Sequence, residues 1–473
     1  MWSLEELIRK KQAILPKLKE KYANVSFPFR EENKKRFSSS LRMHYPSAII
    51  AEVKVASPTK GILYTNDPVL LARSYIEAGA AAISVVTEPH YFNGDIKLLR
   101  KISKISPIPI LRKDFIIDFI ELIESKVNGA DAVLLITSLL GKERLREFIS
   151  LSNELGLEAV VEIHEASELD IALSAGAKII GINNRDLRDM TVNIHATEYI
   201  APKVLDNVLL ISESGISSQE DILKLNTYGV YAFLIGTSLV QSPDPKEKLM
   251  SLKSPLKRML EQDGPFIKFC GITNLEDALE AISAGADLLG FVLCEGKRRV
   301  PLEDLKNILK ELPKEIPKIG VVTLKELSQW SLYAKEGIFA FQVHGCPSKE
   351  LSTIKRPFCI PSIPCNGSSA PSSKMDLGEF PLIQLDGATM GGSGKLCNWE
   401  LAKAFRLFLH PARLMMGGGL CPSNVYEVLN KVKPWAVDVS TGIECAVGKK
   451  EKGKMCNFVK AVKRWEKGHE ATK

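Results

Sequence analysis

The chain has 473 residues, 45% of them hydrophobic and 25% charged, with a formal net charge of +7. That length suits two or three globular domains. The modest charge, without a basic block or aromatic-interleaved patch, speaks against a nucleic-acid binder and suits small acidic molecules. No apolar run reaches membrane-spanning length, and the start "MWSLEELIRKKQAILPKLKEK" has no apolar signal core, so a cytoplasmic protein with no membrane partner is expected.

In chain order, Trp2, Leu4, Leu7 and Ile8 form a helical stripe that Pro16 is expected to break. Amphipathic helices, glycine stops and short apolar strands then alternate, as in "KVNGADAVLLITS" and "ALSAGAKIIGINNRDL". Strands are expected near 48–54, 81–88, 109–115, 132–137, 158–164, 179–185, 208–215 and 232–239. In "AEVKVASPTKG" the period of two puts Glu52 and Lys54 on one face, opposite Ala51, Val53 and Val55. Two charges on a buried strand need partners or a task. The other strand ends carry Lys113, Glu162, Asn183, then Glu213 and Ser214. A single charged strand end is often a solvated edge, but this set converges wherever the strands close into a barrel, whose sites lie at the carboxyl ends.

The junction is expected at residues 253–265, with one helix running into the second half. There, strands are expected near 265–271, 288–293, 317–323, 340–345, 358–364, 381–386, 412–418 and 436–442, and a loop over "CNGSSAPSSKMDLGEF". All nine cysteines lie at or after Cys270, without a C-x-x-C pair, which argues against a disulfide framework and a structural zinc site. The fold class is therefore α/β, two consecutive (β/α)8 TIM barrels, 1–255 and 256–473, the first with an extra N-terminal helical segment. Two doubly wound sheets would call for an early G-x-G-x-x-G turn, and the sequence has none.

"AEVKVASPTKG", "LRKDF", "VVEIH", "GINNRDL" and "SESGI" together resemble indole-3-glycerol-phosphate synthase over about residues 1–250. "KFCGIT", "QVHG", "QLDGATMGGSG", "GGGLCPSNV" and "VDVSTGIE" resemble phosphoribosylanthranilate isomerase over about residues 265–465. The pattern is that of the fused bifunctional enzymes of tryptophan biosynthesis, in which the isomerase makes what the synthase consumes. The resemblance implies Lys113 as general acid and Glu162 as base, Lys54 on the substrate carboxylate, and Glu52 and Asn183 holding lysines and hydroxyls. Lys54 and Lys113 are expected to lower each other's pKa. His164 reads as structural. Glu213 is expected to contact substrate, and phosphate to sit against Ser214, Gly215, Gly236 and Thr237, with Ser57 and Lys60 closing over it.

In the second half the resemblance implies Cys270 as base and Asp386 as acid of an Amadori rearrangement, with phosphate contacts from Gly392, Ser393, Gly394, Gly418, Gly419, Ser440 and Gly442. The other cysteines read as small buried hydrophobes. The family's serine-proline-arginine run is replaced by "CEGKRRVP", where Arg299 aligns with the anthranilate-binding arginine. No cofactor or metal is expected, only phosphorylated small-molecule substrates, acting on a monomer. The competing readings are a degenerate barrel kept for binding, which loss of a main catalytic residue would signal, and another phosphosugar barrel enzyme, which would lack the Glu52 and Lys54 pair.

Overall fold

The computed structural model describes residues 3–25, 36–338, 340–345, 347–365, 380–387, 397–409 and 412–470. The chain separates into two compact units, Met1–Ser254 and Pro255–Lys473. Each contains a closed barrel of eight parallel strands.

The first barrel is built from β1 (Ala48–Val53), β2 (Ala82–Val86), β3 (Ile110–Lys113), β4 (Ala132–Ile136), β5 (Glu158–Ile163), β6 (Ile179–Asn183), β7 (Leu209–Glu213) and β8 (Ala232–Ile235). β1 closes it, with Ala48 opposite Ala232 and Ile50 opposite Ala82. Alternation sorts the faces. Ile49, Ala51 and Val53 belong to the core that includes the helix residues Leu71, Tyr75 and Leu99, while Glu52 takes the other face. Burying such aliphatic side chains contributes about 1.5–3 kcal/mol each, so a one-residue slip of β1 would forfeit several of them.

Some strands end sooner than the sequence pattern suggests. β3 stops at Lys113 because the Asp114 carboxylate accepts from its neighbour's amide, Phe115 N, at 2.8 Å and from Thr87 Oγ1 at 2.6 Å. β7 stops at Glu213 because Ser214 and Gly215 both take positive φ, 66° and 83°.

The extra N-terminal segment is α1 (Leu4–Tyr22), capped by Ser3. Pro16 lies inside it and does not end it, contrary to expectation. Proline removes one backbone donor, and anchors on both sides of it hold the helix. Lys11, buried, reaches Asp114 and Glu121 at 2.6 Å each, and Tyr22 packs by Glu124. Arg112 completes this network with Asp114 and Glu124, both at 3.0 Å. Removing one partner of such a buried set typically costs about 3–5 kcal/mol.

The expected single helix at the junction is two, Pro245–Leu252 ending the first unit and Pro255–Leu260 opening the second. Pro255 cannot donate the backbone bond a continuous helix needs.

The second barrel comprises β9 (Phe266–Cys270), β10 (Leu288–Val292), β11 (Lys318–Val322), β12 (Ala340–Val343), β13 (Phe358–Pro364), β14 (Leu382–Asp386), β15 (Arg413–Met416) and β16 (Ala436–Val439). β9 closes it, with Lys268 opposite Leu288 on one side and Asp438 on the other. Ile267 and Phe269 join the helix-facing core, leaving Lys268 and Cys270 on the opposite face. Gly176 and Gly285 end helices at φ 98° and 110°, where a Cβ would be strained. No helix among the described residues is long and apolar enough to cross a membrane.

The loop expected over 365–380 lies, apart from its two ends, outside the described residues. Those outlying parts of the chain are nevertheless flanked by a disulfide that the sequence reading did not expect, Cys365–Cys397. Adjacent strands β13 and β14 bring together cysteines 32 positions apart, which spacing alone does not reveal. Closing a loop of that length stabilises by about 3–4 kcal/mol in the chain-entropy account. Reduction should therefore lower the denaturant midpoint of the second unit, read through the fluorescence of Trp330, Trp399, Trp435 and Trp465; an unchanged midpoint would contradict it. Cys294 and Cys359 are buried as expected, whereas Cys445 is exposed and Cys421 and Cys456 are half-buried.

Candidate active sites

At the carboxyl ends of the first barrel's strands lies a cavity of about 490 Å³. Glu52 and Lys54 meet in its wall as an ion pair at 2.6 Å. Lys113 reaches across the barrel, donating to Glu162 at 3.1 Å and Glu213 at 2.7 Å. Burial alone would pull the Lys113 ammonium down, but Glu162, Glu213 and Glu52 outweigh it and hold it above the usual lysine range. The expectation that Lys54 depresses it is thereby corrected, because the three carboxylates outweigh everything that acts the other way. Burial raises Glu162, yet Lys113, His164 and Asn183 bring it well below the usual carboxylate range. Glu52 is likewise lowered, against its burial, by Lys54 and Lys113.

Glu213 differs. Burial and the neighbouring Glu162 raise it to about 7 despite Lys113, and its Oε1 has no partner among the described residues. It lies below the cavity lining, beside Lys113, and not with the phosphate candidates. A glutamate in the unfolded chain titrates near 4.5, so the folded barrel retains a proton that the unfolded chain has lost. This group therefore makes stability fall as pH rises from about 4.5 to about 7. Glu213→Gln should flatten that slope, as measured by hydrogen exchange of the first barrel's strands at pH 5, 6 and 7; an unaltered slope would contradict the assignment.

Two glycines make room for this cluster. A Cβ on Gly236 would overlap Glu52 Oε1, and one on Gly181 would overlap Glu213 Oε1. Gly236 thus has a packing role besides its place in the cavity lining with Thr237. Ser214 and Gly215 line the same wall, and the left-handed backbone of Ser214 is uncommon outside functional turns. Ser57 and Lys60 also line it, the Lys60 ammonium resting on Gln241 at 3.1 Å. Asn183 accepts from Arg185 N at 3.0 Å. Arg185 itself was passed over in the sequence, although it faces the cavity two residues beyond Asn183. His164 sits 3.2 Å from Glu162 and 3.8 Å from Glu168, carboxylates that raise it, against burial, to about 10.

The second barrel's cavity, about 200 Å³ as bounded by described residues, contains Cys270 and Asp386 in its lining. Gly418, Gly419 and Ser440 also line it, at the ends of the seventh and eighth strands of this barrel. Gly442 does not; a Cβ there would overlap the Leu420 carbonyl, so its requirement is close packing. Gly392, Ser393 and Gly394 lie outside the described residues. Arg299 is corrected by the geometry. A turn at residues 297–298 is followed by the bond from Val300 N to Val292 O at 2.9 Å; Arg298 lines the cavity, bonded twice to Glu444 at 2.7 Å, and Arg299 is exposed and absent from the lining.

Residues 4–252 match the family model of indole-3-glycerol phosphate synthase, and residues 267–461 that of N-(5'-phosphoribosyl)anthranilate (PRA) isomerase. The chain belongs to both families, one barrel to each. Tryptophan biosynthesis protein TRP1 of Phytophthora nicotianae is 33% identical over 84% of this chain and 88% of its own length. The multifunctional tryptophan biosynthesis protein of Schizosaccharomyces pombe is 34% identical over 90% of this chain. This chain spans 61–63% of that relative and of two further fungal multifunctional proteins. Over the synthase barrel, the indole-3-glycerol phosphate synthase of Carboxydothermus hydrogenoformans is 50% identical, across 42% of this chain and 77% of that protein.

Proposed function

We propose that the chain performs two successive steps of tryptophan biosynthesis, the isomerase barrel converting N-(5-phosphoribosyl)anthranilate to carboxyphenylamino-deoxyribulose phosphate and the synthase barrel converting that to indole-3-glycerol phosphate. The observation that carries the synthase reading is Lys113, held across the barrel mouth between Glu162 and Glu213. In this reading Lys113 protonates the ketone oxygen as the ring carbon attacks, and Lys54 and Arg185 take the substrate's anionic groups. Glu213, which keeps its proton to about pH 7, returns one to Lys113 through their 2.7 Å contact. Loss of carbon dioxide restores aromaticity, and Glu162 removes a proton as the hydroxyl leaves. Phosphate rests on the small residues Ser214, Gly215, Gly236 and Thr237.

In the isomerase barrel, Asp386 protonates the ribose ring oxygen to open an imine, and Cys270 removes the neighbouring carbon's proton to give the enolamine that becomes the ketone. Gly418, Gly419 and Ser440 face the phosphate. Each cavity draws all its named groups from one unit, so a monomer suffices. Assaying each step separately on the purified chain tests the reading; absence of either turnover in folded protein would refute that half.

The position of Arg298 leads to a paired expectation. A charge-assisted bond to the substrate carboxylate is worth about 1.5–3 kcal/mol, so Arg298→Ala should raise the isomerase KM by roughly ten- to a hundredfold. Arg299→Ala, at an exposed position, should leave it within about twofold. Steady-state KM for both variants decides, and the reverse ranking would return the role to Arg299.

A further inference from the structure

Beneath Cys270 lies a lysine to which neither the sequence reading nor the proposed mechanism gives a role. Lys268 is wholly buried, yet its ammonium is fully engaged: it donates to Gln342 Oε1 at 2.5 Å, to Asp438 Oδ2 at 3.2 Å and to Cys270 Sγ at 3.4 Å. The neighbouring strand is cut to fit this pair. A Cβ on Gly290 of β10 would come 2.7 Å from Cys270 Sγ and 2.9 Å from Lys268 Cε. Asp438 is in turn held by Gln384 Nε2 at 2.7 Å.

An ammonium only donates, so the sulfur facing it must accept. A thiol is a weak acceptor and a thiolate a strong one. Asp438 alone balances the lysine in net charge, but from one side; the remaining hydrogen is aimed at sulfur in a water-poor site, where an ion's neighbours count for more than in water. Burial leaves the Cys270 thiol raised on balance, and Lys268 is the foremost group acting against it. The other charged groups around the sulfur are Asp438 from β16, which disfavours ionisation, and Lys450 and Arg298, which favour it, with Asp386 and His344 elsewhere in the cavity lining.

The same ammonium orders a second group. Because Lys268 takes Gln342 Oε1, the amide nitrogen of Gln342 faces His344 Nε2 at 2.7 Å and donates to it. His344 is thereby fixed as a neutral ring with its proton on Nδ1, an atom with no partner among the described residues. Burial and Lys268 lower His344 to about 4, consistent with that neutral form.

We propose that Lys268 is a positioning residue of the isomerase barrel: its buried ammonium is the counter-ion that favours the Cys270 thiolate over the thiol and, through Gln342, sets the tautomer of His344. This rests on the reading of Cys270 as the base, but only for its consequence in turnover. The ionisation itself is tested without turnover, by alkylating the whole chain with iodoacetamide from pH 5 to 10 and quantifying the Cys270 peptide by mass spectrometry. Lys268→Met should raise the alkylation midpoint by at least about one pH unit, so that the rate near neutrality falls about tenfold or more. Should the single variant not fold, Lys268→Met/Asp438→Asn, which leaves no buried charge unpaired, gives the same reading when compared with Asp438→Asn alone. Lys268→Arg should restore part of the shift. Isomerase kcat should fall with its acid limb displaced upward in step with the thiol, at nearly constant KM. A midpoint unchanged in folded Lys268→Met, or in the double variant relative to Asp438→Asn alone, would overturn the proposal. A midpoint that moves while the isomerase pH profile stays put would uphold the counter-ion and remove Cys270 as the base.

Discussion

Lys113→Ala or Glu162→Gln is expected to lower indole-3-glycerol phosphate formation by about 100- to 10,000-fold while leaving isomerase turnover near that of the unaltered chain. The size follows from what each change removes. Lys113 is the only ammonium that bridges two strand-end carboxylates across the synthase mouth among the described residues. Taking it away leaves Glu213 without its cation and Glu162 with His164 alone, so the loss combines a missing acid with a disturbed charge pattern. Glu162→Gln keeps the shape and removes the base. The selectivity follows from the division of the chain, since the isomerase cavity takes no residue from Met1–Ser254. Equal loss of both activities in folded variants would refute independent sites.

The converse pair is Cys270→Ser and Asp386→Asn. Each is expected to lower isomerase turnover by about 100- to 10,000-fold and to leave the synthase step intact. Serine matches cysteine closely in size, so the cavity is preserved while a hydroxyl far less acidic than a thiol replaces the base. Turnover that persists in Cys270→Ser would mean that the base has to be sought at another position. Steady-state rates for each step, measured on the same preparations, decide the matter.

How much of this was legible in the sequence depends on the periodicity of each segment. The sixteen strands followed from apolar runs punctuated by glycine, and their ends ran long where the chain turns early, as at Asp114 after β3, at Ser214 and Gly215 after β7, and at the helix Thr237–Val240 after β8. Glu52 and Lys54 were visible because two charges at a spacing of two cannot hide on a buried strand. Lys268 and Cys270 have the same spacing, but cysteine carries no formal charge, so the pair drew less notice. Arg298 and Arg299 could not be told apart by counting residues, because the turn at 297–298 and the bonds that follow it set which one enters the cavity lining. Long-range charge was the least legible: two lysines at strand ends, Lys54 and Lys113, suggested a weakened Lys113, whereas closure of the barrel surrounds it with carboxylates from β1, β5 and β7. The disulfide belongs to the same class, set by which strands become neighbours.

The central claim, one chain with two barrels acting in succession, is tested most directly by stoichiometry. Purified chain is supplied with N-(5-phosphoribosyl)anthranilate, and anthranilate fluorescence is followed together with released carbon dioxide. The account predicts one carbon dioxide for each phosphoribosylanthranilate consumed by the unaltered chain, and consumption without carbon dioxide release by the Lys113→Ala chain, with the deoxyribulose intermediate accumulating. Failure of the unaltered chain to release carbon dioxide, or failure of Lys113→Ala to consume phosphoribosylanthranilate, would contradict it.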